Sequence, residues 1–131
     1  MLKVDYFNTL STNLKNVQAD ANNEIKDAVE QINSLAKNIA ALNKQINQIE
    51  ANFGNANDLR DRRNALVDEL SQIANIEVSE NPIGNNLTDF NVRINGQTLV
   101  SSYSYNTLEV VARQERRNAT DAEGLYDVQW A

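Results

Sequence analysis

Between Asp5 and Phe53 the chain contains neither glycine nor proline, and its apolar residues recur in steps of three or four. They are Phe7, Leu10, Leu14, Val17, Ala21, Ile25, Ala28, Ile32, Leu35, Ile39, Leu42, Ile46, Ile49 and Phe53. Such steps keep one stripe on one side of an α-helix, so the spacing predicts a single helix of roughly 45 residues, about 68 Å long. From Ile25 onward the stripe repeats every seven residues, the period of a left-handed coiled coil. Between Leu14 and Ile25 it steps by eleven, which relaxes the supercoil without breaking the seam.

The segment Phe53-Gly54-Asn55-Ala56-Asn57-Asp58 reads as a turn, with Gly54 in the left-handed conformation that ends a helix and Asn57 capping the next. A second helix then runs to about Asn75. Asp58 and Asp61 lie in its first turn, where the helix dipole favours negative charge, and Leu59, Leu66, Leu70 and Ile73 form its apolar stripe. A short turn joins antiparallel neighbours, so the two helices are expected to form a hairpin. Residues 1–75 thus read as a helical rod.

Beyond Asn75 the pattern changes to alternation. Phe90, Val92 and Ile94 share one face and Asp89, Asn91 and Arg93 the other, as in a half-buried strand. Asn95-Gly96 suits a type I′ hairpin turn, in which Leu99 would lie opposite Val92. Pro82 and Gly84 are expected between strands, and Gly124 at the end of a polar loop before Leu125. Two further strands are read in residues 106–113 and 125–130. Residues 76–131 read as a small antiparallel β domain, ending at Ala131 in what looks like an imposed boundary. The expected fold class is α+β, a long helical hairpin followed by a small antiparallel β unit.

Several function classes fall away on composition. The 131 residues include no cysteine, which removes disulfides and thiolate chemistry, and no histidine, which removes the commonest general base and metal ligand. A net charge of -6 disfavours nucleic acid and anionic membrane surfaces. The start of the chain lacks the order of a signal peptide, and no apolar run is long enough to span a bilayer. Asp58, Asp61, Asp68 and Glu69 form a local concentration of carboxylates, but the helix dipole and pairing of Asp58 with Arg62 explain them without catalysis or a metal. Arg60, Arg62 and Arg63, flanked by acids, read as a solvated or salt-bridged face rather than a phosphate site, and Arg116 and Arg117 carry no stronger reading. The acceptor patterns Asn86-Leu87-Thr88 and Asn118-Ala119-Thr120 are expected by chance in an asparagine-rich chain. We therefore expect no catalytic, cofactor or metal site. The Asn and Gln residues on the outer face of the first helix read either as solvated surface or as contacts to neighbouring subunits.

Length makes the stripe informative. A second helix of about 17 residues covers about 26 Å, enough to shield Leu35 to Phe53 but not Phe7 to Ile25. Phe7, Leu10, Leu14, Val17 and Ile25 are accordingly expected to be a seam for another helix, since large apolar side chains left in water each forfeit roughly 1.5 to 3 kcal/mol.

Five segments carry a family resemblance: Leu42 to Ile46 (LNKQI), the turn at Gly54, Asn57 to Ser71 (NDLRDRRNALVDELS), Asn75 to Val78 (NIEV) and Asn95 to Ser101 (NGQTLVS). Together they resemble flagellar hook-associated protein 1, over roughly residues 20 to 131. The second helix is the most specific part, with Asn57, Asp58, Leu59, Asp61, Arg63, Leu66, Glu69 and Leu70 matching the family pattern, and Asn64 departing from it where the family usually carries an acid. The resemblance implies a non-enzymatic adaptor at the junction between hook and filament of the bacterial flagellum, exported unfolded and assembled outside the cell as a ring. The partners it implies are further copies of the chain, the hook protein, the adjacent hook–filament junction protein and, through terminal segments absent from this chain, an export chaperone. It also implies a distal helix that returns to pack on the first. A receptor-type or cytoskeletal coiled coil with a β head is the alternative, and it predicts a parallel dimer through the first helix.

Overall fold

A computed structural model describes the backbone of residues 2–112 and 126–131 and the side chains of 16–112 and 127–131. Helix α1 runs Leu2–Glu50, 49 residues, and helix α2 runs Asn57–Ile73. Strands β1 (Ile76–Gly84), β2 (Leu87–Ile94), β3 (Gln97–Ser101) and β4 (Ser104–Tyr105) form a four-stranded sheet in that order. Strands β5 (Leu108–Ala112) and β6 (Tyr126–Trp130) form a separate two-stranded sheet. Every pairing is antiparallel, so the fold is α+β as the sequence pattern implies. No helix among the described residues is long and apolar enough to cross a membrane.

Two compact units result, one taking α1 up to Glu30 with β5 and β6, the other running Gln31–Thr107 with Ala131. In the first, Leu108 pairs with Trp130 and Val110 with Val128, placing apolar residues on one face of the hairpin. Val29 is buried there, while Val17 is 64% exposed and Ile25 36%. Gly124, Leu125, Arg116, Arg117 and the pattern Asn118 to Thr120 lie outside the described residues, as do the side chains of Phe7, Leu10 and Leu14.

The second unit contains most of the core. Leu42 and Ile46 of α1 pack with Ala56, Leu59 and Leu66, which closes the helical hairpin. Ile32, Leu35 and Ile39 are buried as the stripe predicts, but its last members are not: Ile49 is 37% exposed and Phe53 89%. The helix ends before Phe53 can join the seam. Phe53 donates to the Glu50 carbonyl and Gly54 to the Ile49 carbonyl, the paired bonds of a Schellman cap, and the left-handed residue is Phe53 itself, at φ 61°. Gly54 is therefore not the left-handed residue. A Cβ on it would lie 2.7 Å from Ile49 Cγ2 and 3.0 Å from the Ile49 carbonyl oxygen, so glycine is needed for close approach. Nor does Asn57 cap α2. It is the first helical residue, and its N–H donates to Oδ1 of Asn55 at 2.9 Å, so the capping side chain belongs two positions earlier.

The strands differ from the sequence expectation in two places. Pro82 and Gly84 lie within β1, because β1 is the sheet edge, where a missing N–H breaks no ladder bond. The turn follows at Asn85 and Asn86, both left-handed at φ 54° and 62°, the type I′ signature that asparagine tolerates. Asn95-Gly96 forms the second such turn as expected, at φ 51° and 78°. Beyond it the ladder slips: Val92 faces Val100, Arg93 faces Thr98, and Leu99 occupies a bulge rather than lying opposite Val92. The bulge lets Leu99 and Val100 both be fully buried.

Candidate functional site

The most organised constellation lies where α1, α2 and the four-stranded sheet meet, and it is polar. Asn43 and Asn47 are one helical turn apart, each one position round the helix from the apolar pair Leu42 and Ile46. A step of about 100° turns them from α2 toward the sheet. Both are buried, to 2% and 1% exposure, so these two asparagines lie on the inner side of α1.

Each amide does the work of a peptide group. Asn47 donates from Nδ2 to the Thr88 carbonyl at 2.8 Å and accepts the Thr88 N–H on Oδ1 at 3.1 Å, as a neighbouring strand would. Its second donor reaches the Tyr103 hydroxyl at 2.8 Å. Asn43 donates to the Ser102 carbonyl at 2.7 Å and the Phe90 carbonyl at 3.3 Å, and its Oδ1 accepts Nη1 of Arg63 at 3.0 Å. A leucine at position 47 would take the side-chain partner from the Thr88 N–H and carbonyl, and one at position 43 from the Ser102 carbonyl.

Arg63 comes from α2 and is 1% exposed. Its guanidinium stacks 3.9 Å from the Phe90 ring centroid and reaches Glu80 of β1 through Nη2 at 3.3 Å. Arg60, one turn earlier, bonds the other Glu80 oxygen at 2.8 Å and clasps the Glu50 carboxylate through Nε and Nη2. Two arginines and two carboxylates thus tie the end of α1, α2 and β1 in a neutral group. Arg60's hydrogen bonds hold the Glu50 carboxyl below its ordinary value, and the two glutamates push the Arg60 guanidinium further up. Burial pulls Arg63 downward, with Glu80 opposing.

This geometry is that of a joint between the helices and the sheet. Its charged groups pair with one another, although Arg63 Nε is buried without a hydrogen-bond partner, and it contains no pairing of nucleophile and base. Among the described residues no group of three acidic side chains is placed to hold a metal ion.

The sequence pattern of the flagellar hook-associated protein FlgK helical domain matches residues 3–129. The chain belongs to that FlgK family. Flagellar hook-associated protein 1 of Salmonella typhimurium is 39% identical over 111 residues, covering 82% of this chain and 19% of the relative. That of Bacillus subtilis is 41% identical over 80 residues, 61% of this chain and 16% of the relative. The solved flagellar hook junction protein FlgK from Burkholderia pseudomallei superposes with a TM-score of 0.72 at 25% identity, over 94% of this chain and 22% of that one. The chain therefore spans about a fifth of the length of these FlgK relatives.

The residues singled out for FlgK resemblance divide sharply. Arg63 and Leu70 are buried, and Leu59 and Leu66 are half-buried against the hairpin core. Asn57, Asp58 and Asp61 are exposed, and Glu69, also exposed, accepts Nε2 of Gln31 at 2.9 Å. The ion pairs of the arginine cluster run from Arg60 and Arg63 to Glu50 and Glu80 instead of from Asp58 to Arg62. Asn43, Asn47, Glu50, Glu80, Thr88 and Tyr103 were not singled out by sequence. A signal for the arginine was present, since Leu59, Arg63, Leu66 and Leu70 continue the four-three-four steps of a buried stripe.

Proposed function

We propose that the chain is a structural segment of a flagellar junction component, working by assembly between hook and filament rather than by catalysis. Its family membership and the names of its relatives support the flagellar setting. The partners in this reading are further copies in a ring, the hook protein and the adjacent junction protein, in an extracellular structure. The long helix is the part to be joined. One observation carries this: α1 has 49 residues against 17 in α2, and Val17 and Ile25 on its stripe stay exposed. At 1.5 Å per residue the helices measure about 74 and 26 Å. A distal helical segment of the full-length protein would complete the seam at Phe7, Leu10, Leu14, Val17 and Ile25, while the Asn57 to Leu70 segment fixes the hairpin.

The test is to add a peptide of that distal segment in trans and follow amide hydrogen exchange. Protection should rise around Val17 to Ile25, and Val17→Asp should abolish it. A stable parallel dimer through α1 that ignores the peptide would instead favour a self-contained coiled-coil module.

A further inference from the structure

Phe53 is placed twice against its own preference. It sits at φ 61°, a conformation that costs a residue with a Cβ of order 1 kcal/mol and that glycine adopts freely, and its ring is 89% exposed. Glycine would close the same helix cap at lower cost and the ring gains no burial, so the turn presents an aromatic anchor at the expense of stability. Beside the ring lies an open cleft of about 420 Å³, lined by Glu50, Phe53, Gly54, Pro82, Leu87 and Thr88 together with Asn86. The cleft exceeds the volume of a phenyl ring, and Ile83 of the same hairpin is 58% exposed.

The charge distribution indicates what such an anchor would meet. Residues 51–57 and 81–88, the two turns bordering the cleft, contain no charged side chain, although 23% of the chain is charged. Glu50, the one acid lining the cleft, is clasped by Arg60. Copies of a chain with net charge -6 repel one another on approach. At this end a second copy can approach without opposing like charge, and exposed aromatic and asparagine side chains with few charges suit a contact surface.

We propose that this end is a homotypic contact, in which Phe53 of one copy seats in the cleft beside Phe53 of another. The inference rests on the reading of the chain as an assembling subunit and deepens it by naming the surface. It is distinct from the helix seam, and the two can fail separately.

The experiment is sedimentation equilibrium of the 131-residue chain, wild type against Phe53→Gly and Val17→Asp, with thermal melting of each. The patch is small, so wild type should associate weakly, with a Kd of order 0.1 to 1 mM. Phe53→Gly should weaken association at least tenfold while raising Tm by a few degrees, a combination that a merely structural role for the ring would not produce. Val17→Asp should leave association intact. Three results would overturn the proposal: a wild type monomeric at the highest concentration, undiminished association of Phe53→Gly, or a melting temperature not raised by glycine. Association lost with Val17→Asp but kept with Phe53→Gly would assign the contact to the seam, overturning the role of Phe53 and leaving the assembling subunit standing.

Discussion

Replacing Asn47 tests whether the sheet is held to α1 by side-chain amides. In Asn47→Ala the Thr88 N–H and carbonyl both lose their partner, at 3.1 and 2.8 Å. Thr88 is half-buried, so each group forfeits about 1 kcal/mol, and the void left at a site only 1% exposed adds a similar amount. Tyr103 is 47% exposed and can turn to water, so its hydroxyl contributes little. The expected loss is about 3 kcal/mol, measured as a lower urea midpoint at unchanged m, with Tm falling by roughly 10 °C or more. Asn47→Asp separates amide chemistry from volume. Its carboxylate still accepts the Thr88 N–H but sets a charged acceptor against the Thr88 carbonyl, so at pH 7 it should destabilise at least as much as alanine. Protonation restores a donor at that position. Burial raises the folded-state pKa of such an acid, so the deficit relative to wild type should shrink as pH falls through the carboxylate range. Losses under about 0.5 kcal/mol for both variants would refute the amide joint.

The arginine group gives an asymmetric expectation. Glu80→Ala takes the carboxylate from the buried Arg63 guanidinium, which keeps Asn43 and the Phe90 ring, and should cost about 2 kcal/mol, whereas Arg63→Met removes the charge, keeps the volume and should cost less. The double variant should be no worse than Glu80→Ala alone, and a larger loss in a denaturant double-mutant cycle would contradict this. Glu50 has its folded-state pKa lowered by Arg60, so its stabilisation is fully present above its ordinary value of 4.5 and is lost as pH falls through the folded value. Glu50→Gln should flatten that part of the acid unfolding profile, and an unchanged slope between pH 7 and 3 would count against the pairing. Gly54→Ala should cost about 1 to 3 kcal/mol through its clash with Ile49, and Ile49→Ala in the same chain should recover part of it; strict additivity would dismiss the clash.

The helices were legible because their signal is one-dimensional. Steps of three and four from Ile32 to Ile46 and the absence of glycine and proline define α1 without reference to anything distant. The Asn95-Gly96 turn was legible for the same reason, as its positive φ values follow from two adjacent residues. What sequence did not disclose depends on contacts between elements. Leu99 shifts into a bulge because two apolar residues, not one, find room in the core. Pro82 belongs to a strand because β1 is an edge, and edge position is a property of the whole sheet. Phe53 fits the stripe by spacing, yet the helix has already ended. The buried amides are the clearest case, since an asparagine facing water and one facing a strand carbonyl look alike until the strand is placed.

That substitution of amides for apolar contacts suits a chain with few large side chains. Aromatic residues make up only 6% of the chain, and in the layer between α1 and the sheet the Phe90 ring is packed among polar groups. Two asparagines and one stacked arginine complete that layer, the amides satisfying strand groups and the arginine pairing with Glu80 and Asn43. An apolar layer tolerates sliding, because its contacts are non-directional. Hydrogen bonds to the named carbonyls of Thr88, Phe90 and Ser102 do not, because a shift of one residue would leave buried groups unpaired. The joint therefore fixes the register of the sheet on the long helix.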